Sequence, residues 1–471
     1  MSLVGVEMLF FLPALLLAYW LVPRKAGAQN CVLLGASLLF YAAFSKLWLG
    51  WLLFSSALDF VIARSLARKP RGFLLALGFV NGLGMLAFCK YAPVLSPSLQ
   101  ILLPLGLSFY TIQRLGYLLD VYWGRLQAED SLLRFLCFTT FFAQITAGPI
   151  GRAGALLPQY AVAREPSARR FADGGLWFLG GYLLKAFAAA RLGSGMVDPV
   201  FAAPAEFDRL SHVLALVGFG LQVFCDFAGY SLMALAVATW LGIDLPENFR
   251  LPFLSRSLPE FWRRWHISFN SWLFEYVFVP ATTGTSWLRG RTATCLMLVF
   301  LLSGLWHGST LPFLLWGALQ GLGMVVQFRF DQALKARTRR DRRWVARRKH
   351  PLYTLGALAL TQGFFFATLL PFRAASMSDV VRFGSGLCSA GGSRTLALEV
   401  LHGSFIEGLA LALAFALPLL WHLLGIAPLD RLANAFFRLP APLRGVAYGL
   451  CIVFLLLFVP VGASTFVYRN F

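Results

Sequence analysis

Charge is what this chain has least of. Asp, Glu, Lys and Arg make up 13% of its 471 residues, against about 25% in globular proteins. The deficit runs along the whole length and leaves no room for a separate soluble domain of ordinary size. Acid is scarcer than base, 21 residues against 41, for a formal charge of +20 at pH 7. Seven cysteines (31, 89, 137, 225, 295, 388 and 451) are odd in number, scattered and never in a C-x-x-C pair. That pattern excludes a disulfide framework and a zinc site, and they read as small buried apolar residues. The six histidines (212, 266, 307, 350, 402 and 422) show no H-E-x-x-H or comparable ligand spacing, so no metal is expected. An internal repeat, a low-complexity tract and the inverted symmetry of secondary transporters are all missing.

Apolar residues are abundant: 58% are hydrophobic, 15% aromatic, and the mean hydropathy is +0.70. Disorder and fibrous repeats are excluded, and the chain reads as an integral membrane protein. The basic excess then follows from the enrichment of Lys and Arg in cytoplasmic loops, so nucleic acid is not an expected partner. Such a face would attract anionic lipid, an anionic donor or an acidic carrier protein. The run Val4 to Val22 has no basic residue before it and no small-residue cleavage site after it, and is expected to span the membrane rather than act as a signal peptide. Arg24 and Lys25 follow at once, which puts that loop in the cytoplasm and the N-terminus outside.

Further apolar stretches lie at 28–44, 47–62, 72–90, 99–119, 131–148, 172–192, 211–241 and 292–328, with three more at 351–371, 405–425 and 444–463. Between the last two groups, residues 328–349 hold ten Lys or Arg against two Asp and predict a cytoplasmic loop. Three crossings beyond it put the C-terminus outside. The expected architecture is all-α: a polytopic integral membrane protein of about eleven transmembrane helices plus re-entrant or interfacial helices, forming a single membrane-embedded domain over 1–471.

Two segments could carry chemistry. Residues 246–280 are too polar to span and too aromatic for an ordinary loop. Ser257 followed by Glu260 is a capping-box pattern, with Pro259 tolerated in the first turn, and predicts a helix start. At 100° per residue, Trp262, Trp265, Phe269, Trp272, Leu273 and Tyr276 form one stripe with His266 at its edge, while Arg263, Arg264, Ser268, Asn270, Ser271 and Glu275 take the other side. From composition alone the pattern fits a membrane-surface anchor with a satisfied histidine, and a functional site needs further support. In LLSGLWHGST (301–310), His307 ends an apolar helix, Gly308 can terminate it, and Ser309 or Thr310 can cap the next, with Pro312 in its first turn. Residues 292–328 are too many for one span, so a tight hairpin with His307 at its apex is predicted. An imidazole among Trp306, Leu305 and Leu301 must face protein or a wet cavity, either as an interfacial hydrogen-bonded group or as a functional one.

PENFRLPFLSRSLPEFWRRWHISFNSWL (246–273), preceded by LGLSFYTIQRLGYLLDVYWG (105–124), AGPIGR (147–152) and DFAGYS (226–231) and followed by LSGLWHG (302–308), resembles the membrane-bound O-acyltransferase family. The likeness is specific over about 105–325 and nearest to bacterial members of the alginate O-acetylation and teichoic-acid D-alanylation type. It implies catalytic roles for His307, the family's essential histidine, and His266, its second motif histidine. His266, Asn270 or a nearby indole would orient or polarise the donor carbonyl, with Asn270, Trp265 and Trp306 lining the substrate path. Asp226 and Tyr230 would be tunnel-lining, or else a hydrogen-bonded interhelical pair. No bound cofactor is implied. The donor would be acetyl-CoA or an acyl-carrier thioester, and the acceptor a polysaccharide reached with an extracytoplasmic acyltransferase partner. The location would be the bacterial inner membrane, with membrane lipid as surroundings. FVYRNF (466–471) fits an interfacial aromatic belt, but it also resembles the termini of such proteins, which implies that Tyr468 carries the acyl group transiently. The chain departs from the family pattern after Trp272, where Phe274, Glu275 and ATTG (281–284) replace Arg-Asp and a Gly-Gly turn; this leaves D-alanyl transfer open beside acetyl transfer. A transporter or flippase using the histidines as proton relays is the non-enzymatic alternative.

Overall fold

The computed structural model describes residues 3–458 apart from 97, 99–100, 102, 286, 342, 389–391, 397–404, 425–435 and 437. Tyr468 and the rest of the tail 464–471 lie outside the described residues. Among those described, all extended regular structure is helical; the β contacts are isolated bridges, Phe207 with Arg394 and Phe249 with Trp265. Six helices are long and apolar enough to cross a membrane: Lys46–Arg68, Gly72–Leu95, Arg209–Trp240, Leu311–Arg339, Pro351–Arg373 and Ile406–Leu423. Four shorter apolar helices accompany them, at Met8–Leu21, Ala26–Ala42, Leu132–Ile145 and Thr292–His307. Large apolar side chains face outward, among them Phe10, Leu47, Leu95 and Leu360, each more than three-quarters exposed. In water such a surface would be a liability. Against lipid it is the expected exterior. The protein is a multi-pass membrane protein.

The chain packs as two compact units, Met1–Tyr182 with Gly229–Glu247, and Leu183–Ala228 with Asn248–Phe471. The first is centred on the helix Leu107–Tyr122, in which every residue but Asp120 and Tyr122 is buried. The expected span 99–119 therefore begins late, at Leu107, and is wrapped by protein. Its Arg114 is held by Asp59 at 3.3 Å and donates to Ser55 Oγ at 2.6 Å, while Asn81 donates to Asp59 at 2.8 Å. A buried ion pair is costly to desolvate, and these added hydrogen bonds offset part of that cost. The expected span 131–148 breaks at Phe141 into Leu132–Thr140 and Phe142–Ile145.

In the second unit the helical path from Leu183 to Ala202 alternates between α and π turns. Lys185, on one of the π turns, pairs with Asp226 in the long helix Arg209–Trp240, and both side chains are buried. Residues 292–328 do form the hairpin, with arms Thr292–His307 and Leu311–Arg340. The basic stretch 328–349 departs from expectation. It is not a loop: the second arm continues helically to Arg340, and Arg343–Lys349 forms another helix. Runs of Lys, Arg, Gln, Ala and Leu have high helix propensity, and charge density gave no information on backbone conformation.

Candidate active site

The sequence 248–273 folds back on itself before it reaches its histidine. Arg250 N donates to Arg264 O at 2.9 Å and Ile267 N to Asn248 O at 2.9 Å, pairing the two strands of chain around the Phe249–Trp265 bridge. This pairing divides the helix expected from Ser257 into Leu258–Trp262 and Ile267–Leu273. His266 caps the second piece with a left-handed backbone, φ 45° and ψ 51°. It does not sit at the edge of a continuous stripe. Ser257 Oγ accepts from Glu260 N at 3.3 Å as predicted, but the Glu260 carboxylate accepts from Arg256 N at 2.9 Å and Arg264 Nη2 at 2.7 Å. The aromatic face lies inside the protein. Trp265 stacks on Phe261 at 5.5 Å between ring centroids and packs against Phe224, Phe249 and Phe365, so this element is no surface anchor.

Asn248, which the sequence reading passed over, fixes the ring of His266. Its Oδ1 accepts from Ser268 N at 3.3 Å and from Ser268 Oγ at 2.6 Å, and faces His266 Nδ1 at 3.4 Å. A backbone N–H can only donate, so the atom facing Ser268 N must be the amide oxygen. That oxygen can only accept, so Nδ1 carries the proton and Nε2 the lone pair. Burial pushes the His266 pKa down to about 3, which keeps the ring neutral at pH 7. Asn270 donates from Nδ2 to Trp265 O at 2.6 Å and to His266 O at 3.3 Å, using both amide hydrogens to close the turn.

The hairpin delivers the second histidine. A Cβ at Gly304 would lie 2.5 Å from Phe313 O, and one at Gly317 would lie 2.5 Å from Phe300 O. Only glycine at both positions lets the arms approach this closely. Gly308 is extended, at φ −165°, and is required for space instead: a Cβ there would meet the Phe313 ring at 2.2 Å. His307 ends the first arm 5% exposed. Trp306, Trp316 and Phe372 present their rings near edge-on to it, at centroid distances of 4.8, 5.1 and 5.0 Å.

Both histidines line one narrow cavity, walled also by Val223, Trp262, Trp265, Phe269, Asn270, Ser303, Trp316, Phe365, Leu369 and Phe372. Phe269 lies between them, 5.0 Å from the His266 ring and 6.3 Å from that of His307, and Trp306 stacks on Phe269 at 4.3 Å. Four expected residues, His266, His307, Trp265 and Asn270, are thus wall residues, and Trp306 supports the wall from behind. Asp226 is engaged by Lys185. Tyr230 belongs to the first unit, where its hydroxyl contacts Thr146. Among the described residues no three His, Cys, Asp or Glu cluster in a way that could hold a metal. Trp262, Ser303, Trp316 and the face of Pro351–Arg373 were not anticipated. The hairpin itself held a clue to two of them, because folding its arms about 308–310 brings Ser303 and Trp316 to the same depth.

Residues 204–360 match the pattern described as MBOAT, membrane-bound O-acyltransferase family. A probable alginate O-acetylase of Azotobacter vinelandii is 34% identical over 367 residues, 72% of this chain and 71% of that protein. A peptidoglycan O-acetyltransferase of Helicobacter pylori is 27% identical over 69% of this chain and 70% of its own length. A teichoic acid D-alanyltransferase of Streptococcus thermophilus is 30% identical over 51% of this chain and 60% of its own length.

Proposed function

From the premise that the chain belongs to the membrane-bound O-acyltransferase family, we propose that it moves an acetyl group from a cytoplasmic thioester across the inner membrane for O-acetylation of an exopolysaccharide or cell-wall polymer. The donor is acetyl-CoA, and both termini face outward. Two histidines from separate segments, meeting in one buried aromatic cavity, carry this reading. The broader match to O-acetylating relatives than to the D-alanylating one favours acetyl as the cargo.

In the reaction the acceptor hydroxyl oxygen forms a bond to the thioester carbonyl carbon while His307 takes its proton. The carbonyl π electrons move to oxygen, then return as the C–S bond breaks, and the thiolate leaves with the proton that His307 held. His266, neutral and with its lone pair on Nε2, suits a second acceptor that steers the attacking hydroxyl. The aromatic wall excludes water, which would otherwise hydrolyse the thioester. Tyr468 is the proposed first acceptor, its acyl ester passing to an extracytoplasmic partner and then to the polymer.

Purified protein in lipid nanodiscs, given radiolabelled acetyl-CoA and separately a D-alanyl-charged carrier protein, should release thiol from the first. Release from the carrier alone would reassign the cargo. His307→Ala should lower kcat by at least about 100-fold, the lower end of what a positioned base contributes, while the protein remains inserted and monodisperse. Loss of folding without a folded inactive form would make His307 structural.

A further inference from the structure

We infer that the indole N–H groups of Trp262 and Trp316 are the donors that hold the carbonyl oxygen of the acyl group and the negative charge it acquires in the transition state. The inference rests on the proposed thioester chemistry and deepens it. That chemistry requires hydrogen-bond donors at the carbonyl, and the groups first expected to supply them are committed elsewhere. Both amide hydrogens of Asn270 go to the carbonyls of Trp265 and His266. His266 directs its single N–H at Asn248 Oδ1, so it presents a lone pair, which would repel a carbonyl oxygen.

Trp262 and Trp316 both line the cavity with the two histidines. They are 9% and 3% exposed, and the Nε1 atom of each is buried without a hydrogen-bond acceptor among the described residues. A buried donor without a partner is destabilising, and its persistence in a site calls for an acceptor that arrives with the ligand. The two rings cross near-perpendicularly, with centroids 6.0 Å apart, and the Trp316 ring lies 5.1 Å from that of His307. Each indole would meet the shared oxygen through an N–H···O bond of about 2.9 Å. They come from rings held by packing, so no reorganisation is needed when the charge develops. In the step itself the C=O π pair moves onto this oxygen as the hydroxyl adds, and the indoles keep their protons throughout. They stabilise the charge without transferring anything.

The test removes each N–H while keeping an aromatic ring in place. Trp262→Phe, Trp316→Phe and, at each position, the isosteric benzothienylalanine, which has sulfur in place of N–H, are assayed in nanodiscs by thiol release from acetyl-CoA. Trp272 supplies the control: its Nε1 is also buried without a partner, but it does not line the cavity. The expected result is a kcat about 100- to 1000-fold lower for either cavity position, as when one oxyanion donor is removed. KM should stay within about threefold of wild type, and the Trp272→Phe variant should keep its kcat. Unchanged kcat in folded cavity variants, a loss confined to KM, or an equal loss in Trp272→Phe overturns the donor pair. Wild-type protein that releases no thiol from acetyl-CoA overturns the proposed function, and the donor pair with it. If the phenylalanine variants do not fold, the benzothienylalanine pair decides by the same criteria.

Discussion

Asn248 and His266 show how much one side chain can depend on another 18 residues away. His266 stood out in the sequence as the histidine at the edge of the aromatic stripe and as a residue of the family motif. Its left-handed backbone did not, since that conformation is imposed by the pairing of 248–250 with 264–267, a tertiary event. Non-glycine residues rarely adopt this region, although histidine does so more readily than most. Asn248→Ala should release the ring to either tautomer and lower kcat by about tenfold, while Asn248→Asp should place a carboxylate beside Nδ1, favour the imidazolium and move the acid limb of the pH–rate profile upward. An unmoved profile in Asn248→Asp would show that this contact does not govern the ring. The depressed pKa of His266 also sets a stability trend. Its folded value, about 3, lies below the unfolded 6.5, so the stabilisation is complete above pH 6.5 and declines as pH falls from there towards 3. His266→Gln should flatten that decline in thermal denaturation curves taken from pH 7.5 to 4.5, and an unchanged slope would assign it to other groups.

At the scale of elements, the hairpin 292–328 was legible and the helix 257–276 was not, for one physical reason. Span length is a local property: a run too long for one crossing and too short for two ordinary ones must turn, and Gly308 with Pro312 marked where. Helix continuity within an amphipathic stretch depends on what its backbone pairs with, and the partner segment at 248–250 was distant in periodicity and without a strand-like pattern. The glycine seam leaves a trace in the sequence too, Gly317-x-x-x-Gly321 in one arm and Gly304 in the other. Gly317→Ala should push the arms apart, because its Cβ would meet backbone and cannot be accommodated by a rotamer change. A cost of about 1–3 kcal/mol is expected for such overpacking, seen as a lower Tm, together with a kcat loss as His307 and Trp316 move. Gly363→Ala, in the helix Pro351–Arg373 with nothing within 4 Å of its added Cβ, should leave activity intact and raise stability slightly. Equal effects from the two substitutions would reject the seam.

For the whole molecule, the +20 charge was read from composition as a cytoplasmic signature, and the structure gives part of it a shape. The helix Leu311–Arg340 has 30 residues, about 45 Å at 1.5 Å per residue, against a hydrocarbon core of about 30 Å. Its last turns must therefore project beyond the membrane, carrying Lys335, Arg337 and Arg339 exposed, with Arg343 and Arg348 following in the next helix. This rigid, basic extension starts from the same hairpin that holds His307. A loop of equal charge would spread its field over many conformations, whereas a helix keeps it at one place, where it can raise the local concentration of a polyanionic donor such as acetyl-CoA. The steering prediction follows from that placement. Replacing Lys335, Arg337, Arg339 and Arg343 by Gln should raise KM for acetyl-CoA several-fold at low ionic strength and leave kcat near wild type, because the chemistry lies in the buried cavity. Raising salt from about 20 to 200 mM shortens the Debye length from roughly 20 to 7 Å, so wild-type KM should climb over that range while the variant's stays nearly flat. A wild-type KM indifferent to salt would separate the basic extension from donor capture and leave it a topological determinant, testable by labelling single cysteines at 335 and 343 from either side of sealed vesicles.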